Sequence, residues 1–211
     1  MLTGIMHDLV YPHQLDQDAL SSVVRRLKPL YQWYSPTADE ERILTRIMAH
    51  QDTEIDLFEL NGVVVAFGIC VLIPLPSGEK CVFRHGTVID GQFRSQGLYH
   101  QLFEHARERH HPDWYSTRTQ NPRVYETWWK KFGGNLFPAP FTTLTQELKS
   151  LAVHIVQGKD SFEPDTFIAR DVYREDRSGA EYHQCREAWI QEFFQLHLGV
   201  YDAFLLLGRA Y

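Results

Sequence analysis

The sequence is poor in cysteine: Cys70, Cys81 and Cys185 are three in 211 residues, an odd number without close spacing. That excludes a disulfide framework or a zinc knuckle and predicts reduced thiols in the core. Basic clusters are lacking too. The net charge is -6, and neutralising a phosphate backbone needs a concentrated basic face, so no nucleic-acid partner is expected. The opening "MLTGIMHDLVYPH" lacks the basic region, long apolar core and small-residue cleavage site of a secretory leader. The longest apolar stretch, "VVVAFGICVLIPL", is too short and too β-branched to span a bilayer as a helix. A cytoplasmic protein with no membrane partner is the expectation. There is no repeat, linker or low-complexity tract, and a hydrophobic content of 44% suits one large domain over residues 1–211.

Between these absences the chain is well punctuated. Leu20, Val23, Val24, Leu27 and Leu30 recur at helical spacing from Asp16 to Tyr31. Thr37 and Glu40 read as a capping box for a second helix burying Ile43, Leu44, Ile47 and Met48. "TEIDLFEL" alternates like a half-buried strand, Asn61-Gly62 is a two-residue hairpin signal, and "VVVAFGICVLIPL" returns antiparallel. A turn at "PSGE" leads into "KCVFRHGTVID". From Ser95 to His110 a helix places Leu98, Leu102, Phe103 and Ala106 on its apolar face, with Arg107, Glu108 and Arg109 expected toward solvent. "DWYSTRT" then reads as a strand, completing a βαβ unit. "NPRVYETWWKKFGG" is a helix opened by Asn121 and Pro122 and stopped at Gly133-Gly134.

The last third reads as a helix ending at Gly158, a mixed-charge stretch of loop or short strand, and a second helix with Ser178 and Glu181 as capping box and Gly199 as terminator. A buried strand in "VYDAFLLLGRAY" closes the chain. Trp189, Phe193 and Phe194 leave two readings open for that second helix: core, or a face for a second copy in a homodimer.

The stretch "DGQFRSQGLYHQLFEHARERH" carries the chemistry. A helix start prefers a side-chain acceptor for its unpaired amides and tolerates negative charge. Here Arg94-Ser95-Gln96-Gly97 makes that end small and cationic. A strand that turns into a helix across a glycine exposes consecutive amides in a concave surface, and with the helix dipole this suits phosphate. The other reading is a helix that merely begins at a glycine turn.

The order of elements, with "VIDGQFRSQGLYHQLFEHA" and "TQNPRVYETWWKKFGG", resembles the GNAT superfamily, the GCN5-related N-acetyltransferases, over about residues 38–135. The resemblance implies an α+β acyl-CoA N-acyltransferase fold: a mixed, mostly antiparallel central sheet with helices on both faces, completed by a C-terminal extension over 136–211. It implies acetyl-CoA as cosubstrate and transfer of its acetyl group to a primary amine of a small molecule or peptide. By position, the diphosphate contacts fall to Arg94, Ser95, Gln96, Gly97, Leu98 and Tyr99. Val88 and Ile89 would bond the pantetheine through their backbone, and Asn121 would face it from the other side. The sequence departs twice from the family pattern. Tyr99 stands where Gly or Ala is usual, and Trp129 where many members carry the tyrosine that protonates the departing thiolate.

Tyr125, one turn before Trp129, is the substitute acid, or else plain packing. An alkyl amine with a pKa of about 10 must lose a proton before it attacks. His85, an imidazole on the strand leading to the turn, is the candidate base through water; an ordinary core or surface histidine is its other reading. "EHARERHHPD" holds His105, His110, His111 and Asp113, but at helical spacing His105 and His110 diverge and no second ligand pair follows. No metal is therefore expected. The alternative to an enzyme is a non-catalytic acyl-CoA-binding regulatory module of the same fold.

Overall fold

The computed structural model describes residues 4–157, 161–173 and 184–210. The fold class is α+β, with a nine-stranded, mostly antiparallel sheet and six α-helices among the described residues. The chain divides into two compact units, Met1–Leu72 with Arg84–His111, and Ile73–Phe83 with Pro112–Tyr211.

The first unit opens with β1 (Ile5–Val10), which pairs antiparallel with β2 (Thr53–Leu60) further along the chain. This strand was not expected from the sequence: only Val10 in "IMHDLV" is buried, so there is no alternation to read. α1 (Gln17–Tyr34) begins where Asp16 Oδ1 accepts from the Ala19 amide at 2.8 Å. α2 (Glu40–Ile47) is capped by Asp39, whose Oδ1 accepts from the Arg42 amide at 2.8 Å. The expected Thr37–Glu40 box is thereby corrected: Asp39 is the N-cap, and Thr37 Oγ1 instead accepts from the Arg42 guanidinium at 3.2 Å. The buried faces of α1 and α2 cover Ile55 and Leu57 of β2 and Phe67 and Ile69 of β3 (Val63–Pro74). Phe58 and Ala66, adjacent in sequence to two of these, lie in a second cluster with Leu98 and Leu102. Neighbours along a strand point to opposite faces, so within this unit helices cover both faces of the sheet. At the β2–β3 hairpin, Asn61 and Gly62 have φ of 52° and 77°, the double left-handed turn that an Asn-Gly pair favours.

β4 (Lys80–Ile89) contributes Arg84 to Ile89 to this unit and leads to α3 (Leu98–His110). The apolar face of α3 is as expected, with Leu98, Leu102, Phe103 and Ala106 buried. Arg109, expected in solvent, is turned instead to β2: its Nε donates to Glu54 Oε2 at 3.1 Å and its NH2 to Asp56 Oδ2 at 2.8 Å. Those acids are 7% and 2% exposed, and burial of a carboxylate requires a partner.

The second unit holds β5 (Trp114–Thr119), α4 (Pro122–Phe132), β6 (Leu136–Phe137), α5 (Gln146–Val156), β7 (Phe162–Glu163), β8 (Ile168–Ala169), α6 (Ala188–His197) and β9 (Ala203–Arg209). β9 pairs antiparallel with β5, β6 and β8, and β8 pairs antiparallel with β7. Asn121 caps α4, its Oδ1 accepting from the Arg123 amide at 2.9 Å, with Pro122 in the first turn. α5 starts at Thr145 and ends with Gln157 in the left-handed region. The Gly158 terminator and the Ser178–Glu181 box lie outside the described residues. The observed α6 ends at Leu198 rather than at Gly199, whose amide donates to Asp202 Oδ2. Among the described residues, no helix is long and apolar enough to cross a membrane.

Cys70 and Cys81 are free and buried, and Cys185 is free and half-buried. Burial pushes the Cys70 thiol up to about 12 and raises that of Cys81.

Candidate functional site

The end of β4 is anchored on both sheet faces. Val88 belongs to the cluster under α1 and α2, and Ile89 packs with Leu98 under α3. The chain then leaves the strand: the Asp90 amide donates to the Val65 carbonyl at 2.9 Å, and Asp90 Oδ1 accepts from the Gln92 amide at 2.9 Å. A single 3-10 turn over Gly91–Phe93 follows. The acidic cap absent from α3 itself is therefore present one turn earlier, where it folds the approach.

Arg94 is extended, Ser95 has φ of 62° and Gly97 has φ of 86°. Two left-handed residues two places apart bend the chain back on itself, and glycine takes this conformation without strain. Gly97 is the N-cap of α3 and supplies no side-chain hydrogen bond, and the first turn carries no acid. The first bond of α3 runs from the Gln101 amide to the Gly97 carbonyl at 3.0 Å. A helix leaves its earlier amides, here those of Leu98, Tyr99 and His100, to a partner outside itself. Ser95, Gln96 and Gly97 are exposed while Leu98 is 1% exposed, so a buried anchor carries an open rim. A Cβ built on Gly97 would meet nothing within 4 Å. This glycine serves backbone conformation rather than close packing.

Side chains reinforce the turn. Gln96 Nε2 donates to the Gln92 carbonyl at 2.7 Å. Arg94 Nε points to the Ile89 carbonyl at 3.4 Å, and its guanidinium sits 4.4 Å over the Trp33 ring. Trp33 is 50% exposed and had no signal in the sequence, because it lies past the last periodic residue of α1. Tyr99 turns its ring away toward the α3 packing face, 5.5 Å from Phe103 and with the Arg84 guanidinium 4.8 Å over it. Its bulk therefore goes to packing. The arrangement offers a small anion one cationic side chain, several amides and the positive end of a helix.

His85 lies in the same unit, its ring edge-on to His50 at 5.5 Å and its carbonyl accepting from the Arg46 guanidinium. Val88, Ile89 and Arg94 through Tyr99 are thus brought into one continuous segment. Asn121 and Tyr125 belong to the second unit. Asn121 Oδ1 is engaged as the α4 cap. Tyr125 is fully buried, and its hydroxyl donates to the Pro138 carbonyl at 2.9 Å. Rings of Trp129, Trp189, Phe193 and Phe194 lie 5.6–6.4 Å from its own. Burial raises the phenol further above its ordinary value.

A scan against protein-family models and a search of curated proteins return no match. Solved structures do resemble the chain. The ribosomal-protein-S18-alanine N-acetyltransferase of Escherichia coli superposes with a TM-score of 0.53 at 12% identity, covering 97% of this chain and 94% of that one. Arabidopsis thaliana Naa50, in complex with the bisubstrate analogue CoA-Ac-MVNAL, gives 0.50 at 13% identity, covering 99% and 100%. The chain has the fold of the GNAT acetyltransferases.

Proposed function

We propose that the protein transfers an acetyl group from acetyl-CoA to a primary amine of a small molecule or peptide, by direct attack within a ternary complex. The observation that carries this reading is the uncapped, acid-free start of α3 behind the Ser95–Gly97 bend, at the end of β4, in a chain of this fold. In this reading the amides from Ser95 to Tyr99 and the Arg94 guanidinium hold the diphosphate. Val88 and Ile89 present backbone groups to the pantetheine. A neutral amine nitrogen attacks the thioester carbonyl carbon. A C–N bond forms, the C–S bond breaks, and the sulfur leaves with the electron pair while the nitrogen gives up a proton. Orientation and amide dipoles aimed at the developing oxyanion supply most of the acceleration, and His85 accepts the amine proton through water. A net charge of -6 favours cationic acceptors by steering.

One observation favours the second reading, an acyl-CoA-binding module without turnover. The hydroxyl of Tyr125, the candidate acid, is already donated to Pro138 inside an aromatic shell, which supports packing as its role. Release of free thiol from acetyl-CoA against a panel of small amines and amino-terminal peptides separates the two. Amine-dependent release that His85→Ala lowers about a hundredfold supports the enzyme. Thermal stabilisation by acetyl-CoA without release against any acceptor supports the module.

A further inference from the structure

Away from the turn, α3 lies against a concentration of ionisable groups that the proposed chemistry does not use. His7 of β1, Asp56 of β2 and His105 of α3 place one ligand atom each within 4.8 Å of one another. Asp56 Oδ1 is 2.8 Å from His7 Nε2 and 3.6 Å from His105 Nδ1. The two imidazoles face each other with ring centroids 4.0 Å apart, and Phe58 closes one side at 5.1 and 5.8 Å. His105 Nδ1 is buried and has no hydrogen-bond partner among the described residues.

From these contacts we infer a divalent transition-metal site of the zinc type, with His7, Asp56 and His105 as ligands and a fourth position for water. Zinc takes imidazole nitrogen and carboxylate oxygen at about 2.0–2.2 Å in a tetrahedron, whose edges are then about 3.3 Å. The observed separations of 2.8 and 3.6 Å bracket that length on the two edges that meet at Asp56, and with all three ligand atoms within 4.8 Å of one another movement of the rings completes the geometry. A neutral imidazole keeps one nitrogen lone pair for a cation. The charge balance agrees: among the described residues Glu54 and Asp56 bring two carboxylates, and a single guanidinium, Arg109, bridges them.

Arg109 forks onto the same carboxylate, NH1 donating to Asp56 Oδ1 at 3.0 Å and NH2 to Oδ2 at 2.8 Å. It orients the carboxylate as outer partners of metal ligands do, and the ion takes the remaining lone pair of Oδ1 in place of the His7 hydrogen bond. His110, which engages Glu54 at 2.9 Å, stays outside the ligand set. The sequence hid the site because His105 and His110 do diverge along the helix; the partners of His105 come from β2 and from the unforeseen strand β1. A bound ion ties that strand to the helix. The inference rests on the first unit's geometry and is independent of acetyl transfer.

The test is a titration of chelator-treated full-length protein with zinc and, for its visible ligand-field spectrum, cobalt(II). One equivalent, a nitrogen–oxygen tetrahedral cobalt spectrum and a raised melting temperature are expected. His7→Gln and His105→Gln should each weaken binding about tenfold or more, while His110→Gln leaves it unchanged. Melting of the metal-free variants close to wild type assigns their loss to the site; should either fail to fold, the cobalt spectrum of the wild type carries the result. Absence of a stoichiometric site in the wild type, or binding indifferent to both His7 and His105, overturns the inference.

Discussion

Two regions, one in each unit, are held together by opposite means. Behind α3 in the first, the buried carboxylates of Glu54 and Asp56 join Arg109, His7 and His110 in a part-buried web of charge-assisted hydrogen bonds. Around Tyr125 in the second, the packing is almost wholly aromatic: Phe193 stacks on Phe204 at 4.8 Å and 4°, and Phe194 meets Phe204 edge-on at 5.1 Å. Ring packing loses area and contacts when a member is removed. A buried charge web loses more than the deleted contact, because the remaining partner stays desolvated. Geometry is therefore specified more sharply in the first unit, which is also where the candidate anion turn begins.

The contrast is sharpened most by Phe204→Ala, expected to cost about 3–5 kcal/mol in urea unfolding, by the same amount at every pH at which the protein folds. Arg109→Ala should cost about 3 kcal/mol by leaving Asp56 to His7, and Arg109→Lys should recover only part of this, since an ammonium cannot form the fork. Full recovery by lysine would reduce the web to simple charge neutralisation.

The second unit has a polar anchor that probes the contrast from the other side. Asp202 accepts from Arg170 NH1 at 2.6 Å and from the amides of Gly199 and Asp171 at 2.9 and 3.2 Å. Burial opposes its ionisation, but Arg170 and these amides outweigh burial and hold the carboxyl below the usual range. The folded state thus binds this proton less readily than the unfolded chain. Its stabilisation is complete above the unfolded carboxylate value and is lost as pH falls through the folded one. Asp202→Asn should cost about 1–2 kcal/mol at neutral pH and converge on wild type in acid. A difference independent of pH would contradict the assignment. The smallest effect is expected at Tyr125→Phe, about 1 kcal/mol for the Pro138 hydrogen bond, with thiol release unchanged. A loss of turnover without loss of stability would restore Tyr125 as an acid.

The sequence made elements legible where period and punctuation agreed. The β2–β3 hairpin follows from alternation around Asn61-Gly62, and α4 from its Asn-Pro start and Gly-Gly stop. β1 was illegible because an edge strand with a single buried side chain has no buried face to alternate. The two-residue strands β6, β7 and β8 are too short to show a period. At the turn, the glycine and the missing acid were visible in one dimension, but the Trp33 platform under Arg94 and the turned-away ring of Tyr99 depend on contacts distant in the chain. Arg109 was misplaced for a related reason: helical period gives its angle on the helix, while the acids that draw it inward lie more than fifty residues earlier.

The central claim is that the bend before α3 grips the diphosphate of coenzyme A, and calorimetric titration with acetyl-CoA of wild type, Gly97→Asn and Gly97→Asp tests it most directly. Asn and Asp tolerate the left-handed conformation better than other side chains, and the space beside Gly97 is open, so both variants should fold and differ chiefly in charge. The account predicts binding by wild type, weakened binding by Gly97→Asn and none measurable by Gly97→Asp. Equal affinity in all three, or no binding by wild type, would contradict it.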